Sequence, residues 1–299
     1  MTKTEEDKLK NLEDFVNSEE YKLVKKLKKK GISYEQILNV VDEASKARRT
    51  QIGSYSISND HTKMLVFGDS HIGNNAYDPK IMNTAAKIAK SENVDLVVCT
   101  GDIADGWYQN RPSSIFEQNE IGFDNQMRRS VSELSKILDV GKPFYYITGN
   151  HEYNTFVRGA GVEFGEILKL KLDGKGYESY FLGNAEGDIK LETGALIKLL
   201  HPDGGTAYAL SYKPQKIIES LNNADNRLPN VALIGHFHKA EHIPNYMGVD
   251  VYQTGTLCGQ TKYMRGKGIA AHKGFWVIDL YSKKNGKTDK IDSNFYPFK

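Results

Sequence analysis

The sequence predicts an α/β protein built as a two-sheet sandwich, with a small helical appendage at its N-terminus. Three observations predict it. β-α-β alternation runs from Lys63 to Thr148. From Asp188 onward, turn-linked antiparallel strands become frequent. The first fifty residues are rich in Lys and Glu, contain no Pro, and carry apolar residues at helical spacing. One doubly wound sheet has no place for the antiparallel half, whereas two packed sheets accommodate both halves.

In chain order, Leu9, Leu12, Phe15 and Val16 mark a first helix, and Leu23, Val24 and Leu27 a second that stops at Gly31. Ser33 can cap a third helix with Ile37, Leu38, Val41 and Ala44 on one face, giving residues 1–50 a helix-turn-helix look that any helical hairpin shares. Six lysines between Lys22 and Lys30, followed by Arg48-Arg49, suit a solvated face at least as well as a nucleic-acid contact. Residues 51–60, rich in Ser with one Gly, read as a linker to a main domain over 61–299. The main domain opens with a strand near Lys63, a helix marked by Ile81, Ala85, Ile88 and Ala89, and a strand at Val94–Cys99. A polar, aromatic loop then leads to a helix with Met127, Val131, Leu134 and Leu138 on one stripe, ended by Gly141 and Pro143. Pro143–Thr148 is the next strand, and Val162–Leu172 the next helix. Asp188–Glu192 and Ala195–Leu200 form a hairpin across Thr193-Gly194. A short strand is expected at Thr206–Tyr212, a helix at Lys213–Leu221, and strands at Val231–Ile234, Asp250–Thr254 and Phe275–Tyr281.

Composition bounds the rest. The 299 residues are 39% hydrophobic and 26% charged, which fits a globular chain. The net charge of +2 lends little support to a polyanion-binding protein. Of two cysteines, Cys99 lies within an apolar strand, so a reducing compartment is expected. No apolar run is long enough to span a bilayer, and the first residues lack the apolar core of a signal peptide, so the expected location is the cytoplasm.

Five predicted strands end alike. They run into Gly68-Asp69-Ser70-His71, Gly101-Asp102, Gly149-Asn150-His151-Glu152, His201, and Gly235-His236-Phe237-His238. A Gly-Asp after a strand is often a plain turn, and a lone histidine is usually a satisfied polar residue. Five such ends together are another matter, because chemistry in α/β sheets gathers outside the carboxyl ends of strands. Five of the eight histidines lie in these motifs. Asp-x-His and His-x-His put both side chains on one side of an extended segment, so each pair can chelate. Carboxylate, amide oxygen and imidazole without thiolate suit Mn²⁺, Fe²⁺ or Zn²⁺. Seven candidate ligands, Asp69, His71, Asp102, Asn150, His201, His236 and His238, exceed one tetrahedral site and fit two adjacent ions.

This ordered set resembles the calcineurin-like metallophosphoesterase superfamily over roughly residues 63 to 281. The resemblance implies a four-layer αββα sandwich with two divalent ions at one edge, Mn²⁺ favoured. Asp69, His71, Asp102 and His238 would hold one ion; Asp102, Asn150, His201 and His236 would hold the other, with Asp102 bridging. A metal-bridging hydroxide would be the nucleophile. His151 would face the phosphoryl group and protonate or stabilise the leaving oxygen. Asp105 matches the place of an aspartate that orients the motif histidine in the phosphatase branch, or it caps its own loop.

Within the superfamily, Gly68-Asp69-Ser70-His71-Ile72-Gly73 and the motif spacing look similar to DNA repair nucleases of the SbcD type and to the small subunit of archaeal D-family DNA polymerase. Glu152 departs from those nucleases, which usually carry Asp there. Lys262, Arg265 and Lys267 flank Tyr263 after the last motif, a mixture that suits a nucleic-acid backbone, so a nucleic-acid partner is expected, DNA favoured over RNA. The expected function is a two-metal nuclease. A phosphatase or phosphodiesterase for small nucleotides or phosphoproteins is the alternative, and a non-catalytic nucleic-acid-binding subunit the second.

Overall fold

The computed structural model describes residues 52–55, 60–108, 112–224 and 228–299. The expected N-terminal helices and their lysine cluster lie outside the described residues. Two six-stranded sheets carry the fold. In one, strands β1 (Ile52–Tyr55), β6 (Glu186–Leu191), β7 (Leu196–Leu200), β8 (Val231–Ile234), β10 (Val249–Thr254) and β9 (Ala240–Tyr246) lie in that order. In the other the order is β12 (Thr288–Pro297), β11 (Gly274–Ser282), β2 (His61–Phe67), β3 (Leu96–Cys99), β4 (Phe144–Thr148), β5 (Ser179–Asn184). β2 through β5 are parallel, while β11 and β12 add antiparallel strands beyond β2.

Alternation along the central strands builds the layers. Met64 and Val66 of β2, Leu96 and Val98 of β3, and Tyr145 and Ile147 of β4 face the second sheet, packing against Ile197, Leu199, Val231 and Leu233. Their neighbours Leu65, Phe67, Val97, Cys99, Phe144 and Tyr146 face outward to helices α1 (Pro79–Ser91), α2 (Phe123–Leu138) and α3 (Phe164–Asp173). Both faces of these strands are dry, which is why they read as unbroken apolar runs. The outer face of the β7–β8–β10 sheet packs Ala232, Ile234 and Val251 against Ile218 of α4 (Tyr212–Ala224). The result is helix, sheet, sheet, helix: the four-layer sandwich.

The first helix starts where its sequence says. Asp78 caps α1, its carboxylate accepting from the Lys80 amide at 3.0 Å, with Pro79 in the first turn. Ile81, Met82, Ala85 and Ala89 form its buried stripe. Two expectations need correction. Ile52–Tyr55, within the expected linker, forms β1 and pairs in parallel with β6. An edge strand is held by its backbone ladder and needs no apolar alternation to announce it. The expected strand at Thr206–Tyr212 does not form: residues 206–211 are an irregular loop and Tyr212 begins α4; Tyr208 there is fully exposed. Its aromatic, β-prone residues have no neighbouring backbone to pair with.

Candidate metal centre

The carboxyl ends of β2, β3, β4, β7 and β8 meet at one edge of the sandwich, and the loops leaving them are laced together. The Asp69 amide donates to the Gly101 carbonyl and the His71 amide to the Asp102 carbonyl, both at 3.0 Å. The His236 amide donates to the Asp69 carboxylate at 2.9 Å, tying one sheet to the other. The His151 amide donates to Asp102 Oδ1 at 2.9 Å. Glycine permits these close approaches. A Cβ on Gly149 would collide with Asp102 Oδ1 and the His201 ring, and one on Gly101 would fall 2.7 Å from His201 Nδ1. Asp69, His71, Asp102, His236 and His238 all have φ between 47° and 77°, the left-handed region that non-glycine residues avoid. Among the described residues, five of the nine non-glycine residues in that region are therefore candidate ligands, so the strain is concentrated at one place.

All seven candidate ligands are brought together. Ligand atoms of Asp69, His71 and His238 lie within 4.8 Å of one another, as do those of Asp102, His201 and His236. Asp102 stands between the two groups, its Oδ2 3.1 Å from His201 Nε2 and 3.8 Å from His71 Nε2. Asn150 Oδ1 completes the second group at 3.1 Å from His201 Nε2 and 2.8 Å from His236 Nδ1.

The outward ring nitrogens settle which atoms point in. His201 Nδ1 donates to the Thr100 carbonyl at 2.7 Å, and His236 Nε2 to the Gly204 carbonyl at 2.6 Å. His71 Nδ1 lies 3.3 Å from Asp105 Oδ1. Asp105 is itself held, its Oδ2 accepting from Asn74 at 3.2 Å and Gln118 at 3.0 Å. Such partners fix the tautomer of a ligating imidazole. Asp105 is nearer to His71 than to His151, whose Nδ1 lies 3.7 Å from the carboxylate but 2.5 Å from the Asp105 carbonyl. Its carboxylate therefore orients a candidate ligand first and His151 second.

Charge in the metal-free cluster is carried by protons. Burial works against a charged His71, yet its hydrogen bond to Asp105 and the charges of Asp102, Asp105 and Asp69 raise its pKa to about 9. Burial opposes a charged His201 too, but the charge of Asp102 and its hydrogen bond raise it to about 10. The same contacts, His201 foremost, overcome burial and hold Asp102 well below the usual carboxylate range. Asp69, more desolvated than compensated, rises to about 7. Burial, then the neighbouring His71, keeps His238 neutral, and burial and His201 lower His236.

The donor set fits divalent cations. His236, neutral and with its Nε2 proton on the Gly204 carbonyl, turns a lone pair toward the Asn150 oxygen at 2.8 Å. Two acceptors at that distance repel unless a cation lies between them. His71 Nε2 and His238 Nε2 face each other at 3.0 Å, a spacing that a shared cation also sets. Donors about 2.1 Å from one ion stand roughly 3 Å or slightly more apart, which is the spacing seen here. His238 Nδ1 is buried without a partner.

A cleft of ≈ 250 Å³ opens over this cluster, lined on one side by Tyr108 and His151 and on another by Tyr263, Met264 and Ile269. Tyr263 and Met264 belong to α5 (Lys262–Gly266), a short helix capped by Thr261. Lys262, Arg265 and Lys267 are exposed on and just beyond that helix and do not line the cleft. The remaining histidines stay apart. His61 pairs with Asp279 at 2.6 Å, and His242 with Asp250 at 3.0 Å while stacking on Tyr252.

Sequence reasoning missed the supports. Glu152, noted only as a departure, is wholly buried and accepts from the Ala104 amide at 2.7 Å and the Gly149 amide at 2.9 Å. Burial and then Asp102 raise its pKa to about 7. Asn74, Gln118 and Tyr108 carry no local signal, since each acts across a loop.

The family model for calcineurin-like phosphoesterases matches residues 62–267. No curated protein gives a significant match. Solved structures similar to the chain include Vps29 from Entamoeba histolytica complexed with Zn²⁺, at 13% identity and TM-score 0.40 over 80% of this chain and 100% of that one. A dimetal phosphatase from Danio rerio is similar at 10% identity and TM-score 0.42, over 78% and 95% of the two chains. A 5′-nucleotidase precursor from Thermus thermophilus is similar at 11% identity and TM-score 0.41, over 79% of this chain and 54% of that one.

Proposed function

The chain belongs to the calcineurin-like phosphoesterase family, and on that premise we propose that it is a two-metal nuclease hydrolysing phosphodiester bonds of nucleic-acid strands. Asp69, His71, Asp102 and His238 would hold one divalent ion, and Asp102, Asn150, His201 and His236 the other, with Mn²⁺ the expected metal. Two bound ions supply Lewis-acid stabilisation of the charge that develops on the phosphoryl oxygens. The rest of the chemistry belongs to the chain. Asp102, tied through Oδ1 to the His151 amide, keeps the two groups of ligands and the acid–base residue in fixed register. His151 holds its Nδ1 proton against the Asp105 carbonyl, which leaves Nε2 to exchange a proton with the leaving oxygen. Burial lowers the His151 pKa, with repulsion from His71 adding to it against the pull of Asp102. A lowered pKa makes the protonated ring a stronger acid while leaving less of it at neutral pH.

The nucleic-acid reading is carried by α5. One turn offers Tyr263 to the cleft and, beside it, the exposed Lys262, Arg265 and Lys267. An aromatic platform next to basic side chains suits successive bases and phosphates of a single strand. A second reading, a phosphodiesterase or phosphatase for small nucleotides, is favoured by the cleft itself, which has no Lys or Arg among the described lining residues.

Chelated protein reloaded with Mn²⁺ and offered labelled single-stranded DNA, duplex DNA, RNA, mononucleotides and an artificial phosphodiester tests both readings. The nuclease reading expects strand cleavage that weakens steeply with salt through counterion release. It also expects the combined substitution of Lys262, Arg265 and Lys267 by Ala to weaken polynucleotide binding and flatten the salt slope, leaving artificial-ester hydrolysis intact. Brisk turnover of mononucleotides with no cleavage of any strand would transfer the assignment to the second reading.

A further inference from the structure

Asn150 is a candidate ligand whose donor atom is not fixed by its own chemistry. A carboxylate offers oxygen either way round, and the rings of His71, His201 and His236 are held by the partners of their outward nitrogens. A carboxamide turned by 180° offers an NH₂ group, which cannot bind a cation. Something must choose which end of Asn150 faces the cluster.

We infer that Tyr108 is the positioning residue that makes this choice. Asn150 Nδ2 donates to Tyr108 Oη at 2.9 Å, on the side away from the candidate ligands. With its NH₂ group engaged there, Asn150 turns Oδ1 toward His201 Nε2 and His236 Nδ1, at 3.1 and 2.8 Å. The Tyr108 ring also packs edge-on against His151, with centroids 5.0 Å apart. The phenol therefore abuts both Asn150 and His151, the candidate ligand and the acid–base group, from a loop 42 residues before Asn150. Tyr108 lies at the wall of the cleft and needs no contact with an ion to act. Its effect passes through the amide, as supports behind a metal ligand usually act.

The inference rests on the two-ion reading and singles out one ion. Tyr108→Phe keeps the ring against His151 and deletes only the oxygen that holds the amide. The other ion's candidate ligands, His71 and Asp69, have partners that do not involve Tyr108.

The test is metal binding to the full-length protein, independent of substrate. Chelated wild type and Tyr108→Phe are titrated with Mn²⁺ by calorimetry, and spin coupling between the two ions is followed by electron paramagnetic resonance. Tyr108→Phe is expected to bind one ion as wild type does, to bind the second about 10–100-fold more weakly, and to lose the coupled signal at sub-saturating Mn²⁺. Thermal melting of the chelated proteins should coincide within a few degrees. Asn150→Asp supplies the control, since a carboxylate needs no choice of end. Adding Tyr108→Phe to Asn150→Asp should cost the second ion less than threefold. Wild-type affinity for both ions in Tyr108→Phe would overturn the role of Tyr108 alone. So would an equal loss with and without Asn150→Asp, because the phenol would then act through packing and not through the amide. Wild-type protein that saturates with a single ion would overturn the two-ion reading and this inference with it.

Discussion

Loading the metal centre should expel protons at a pH where ordinary histidines have none to give. Ligating imidazoles must be neutral, so any ring protonated in the metal-free protein releases its proton on binding. His71, with a pKa of about 9, and His201, with one of about 10, are each more than nine-tenths protonated at pH 8. His236 and His238 are already neutral and release nothing. The structure therefore predicts about two protons released at pH 8, one for each ion. Four histidines of ordinary pKa near 6.5 would together release only about 0.1 proton. Calorimetric titration of chelated protein with Mn²⁺, in buffers of different ionisation enthalpy, measures the number directly. The apparent affinity of each ion should also rise about tenfold per pH unit between pH 7 and 9. Stability of the chelated protein moves the opposite way. A histidine pKa raised on folding stabilises fully below about 6.5 and loses that contribution as pH rises through the folded value. Chelated protein should melt progressively lower from pH 6.5 toward 9, and Mn²⁺ should abolish the trend. Release of less than half a proton at pH 8 would refute the picture of His71 and His201 as ion-paired imidazolium groups.

Two substitutions separate the ligands from the acid–base group. His151→Ala should retain both ions by elemental analysis while turnover falls roughly 10²–10⁴-fold, the range of general acid–base catalysis; Asp102→Ala should lose metal, and a His151→Ala protein emptied of both ions would move His151 into the ligand set. Gly149→Ala drives a Cβ against Asp102 and His201 and should destabilise the protein by about 1–3 kcal/mol through overpacking, with weaker metal retention. Wild-type melting and metal content in that variant would contradict the tight crossing of the two loops.

How much of this was legible beforehand depended on where each element takes its stability. β2, β3, β4 and β8 are buried on both faces and could be read as apolar runs with a polar stop. β9 and β12 lie at sheet edges, are partly exposed along much of their length, and carry no such signature. Their place depends on a neighbour's backbone, as does that of β1. The polar stops were legible for the same reason as the strands, because an Asp or His following a buried run breaks a simple pattern. The supports were not. Gln118 and Asn74 reach Asp105 across 13 and 31 residues, and Gln126 holds the Gly106 amide at 2.8 Å from within a helix whose apolar stripe gives no hint of it. The basic residues after the last motif were legible as charge, but their position at the rim and not the floor of the cleft depends on the turn of α5.

That turn-by-turn placement bears on whether the centre exists before its ions. Left-handed backbone at Asp69, His71, Asp102, His236 and His238 costs about 1–2 kcal/mol for each residue, so the loops need restraints to stay there. If the ions were the restraints, chelation would release the loops. The hydrogen bonds say otherwise. The Asp69 carboxylate receives the His236 amide, Asp102 receives the His151 amide, and Glu152 receives those of Ala104 and Gly149. Three of these four bonds join one loop to another, the Gly149 bond staying within its own turn, and none needs a metal. What remains without a cation is charge and lone-pair repulsion, and protons on His71 and His201 relieve part of it. These hydrogen bonds predict that chelation leaves the loops in place, so that exchange of the amides that make them, at Ala104, Gly149, His151 and His236, stays slow when the ions are removed.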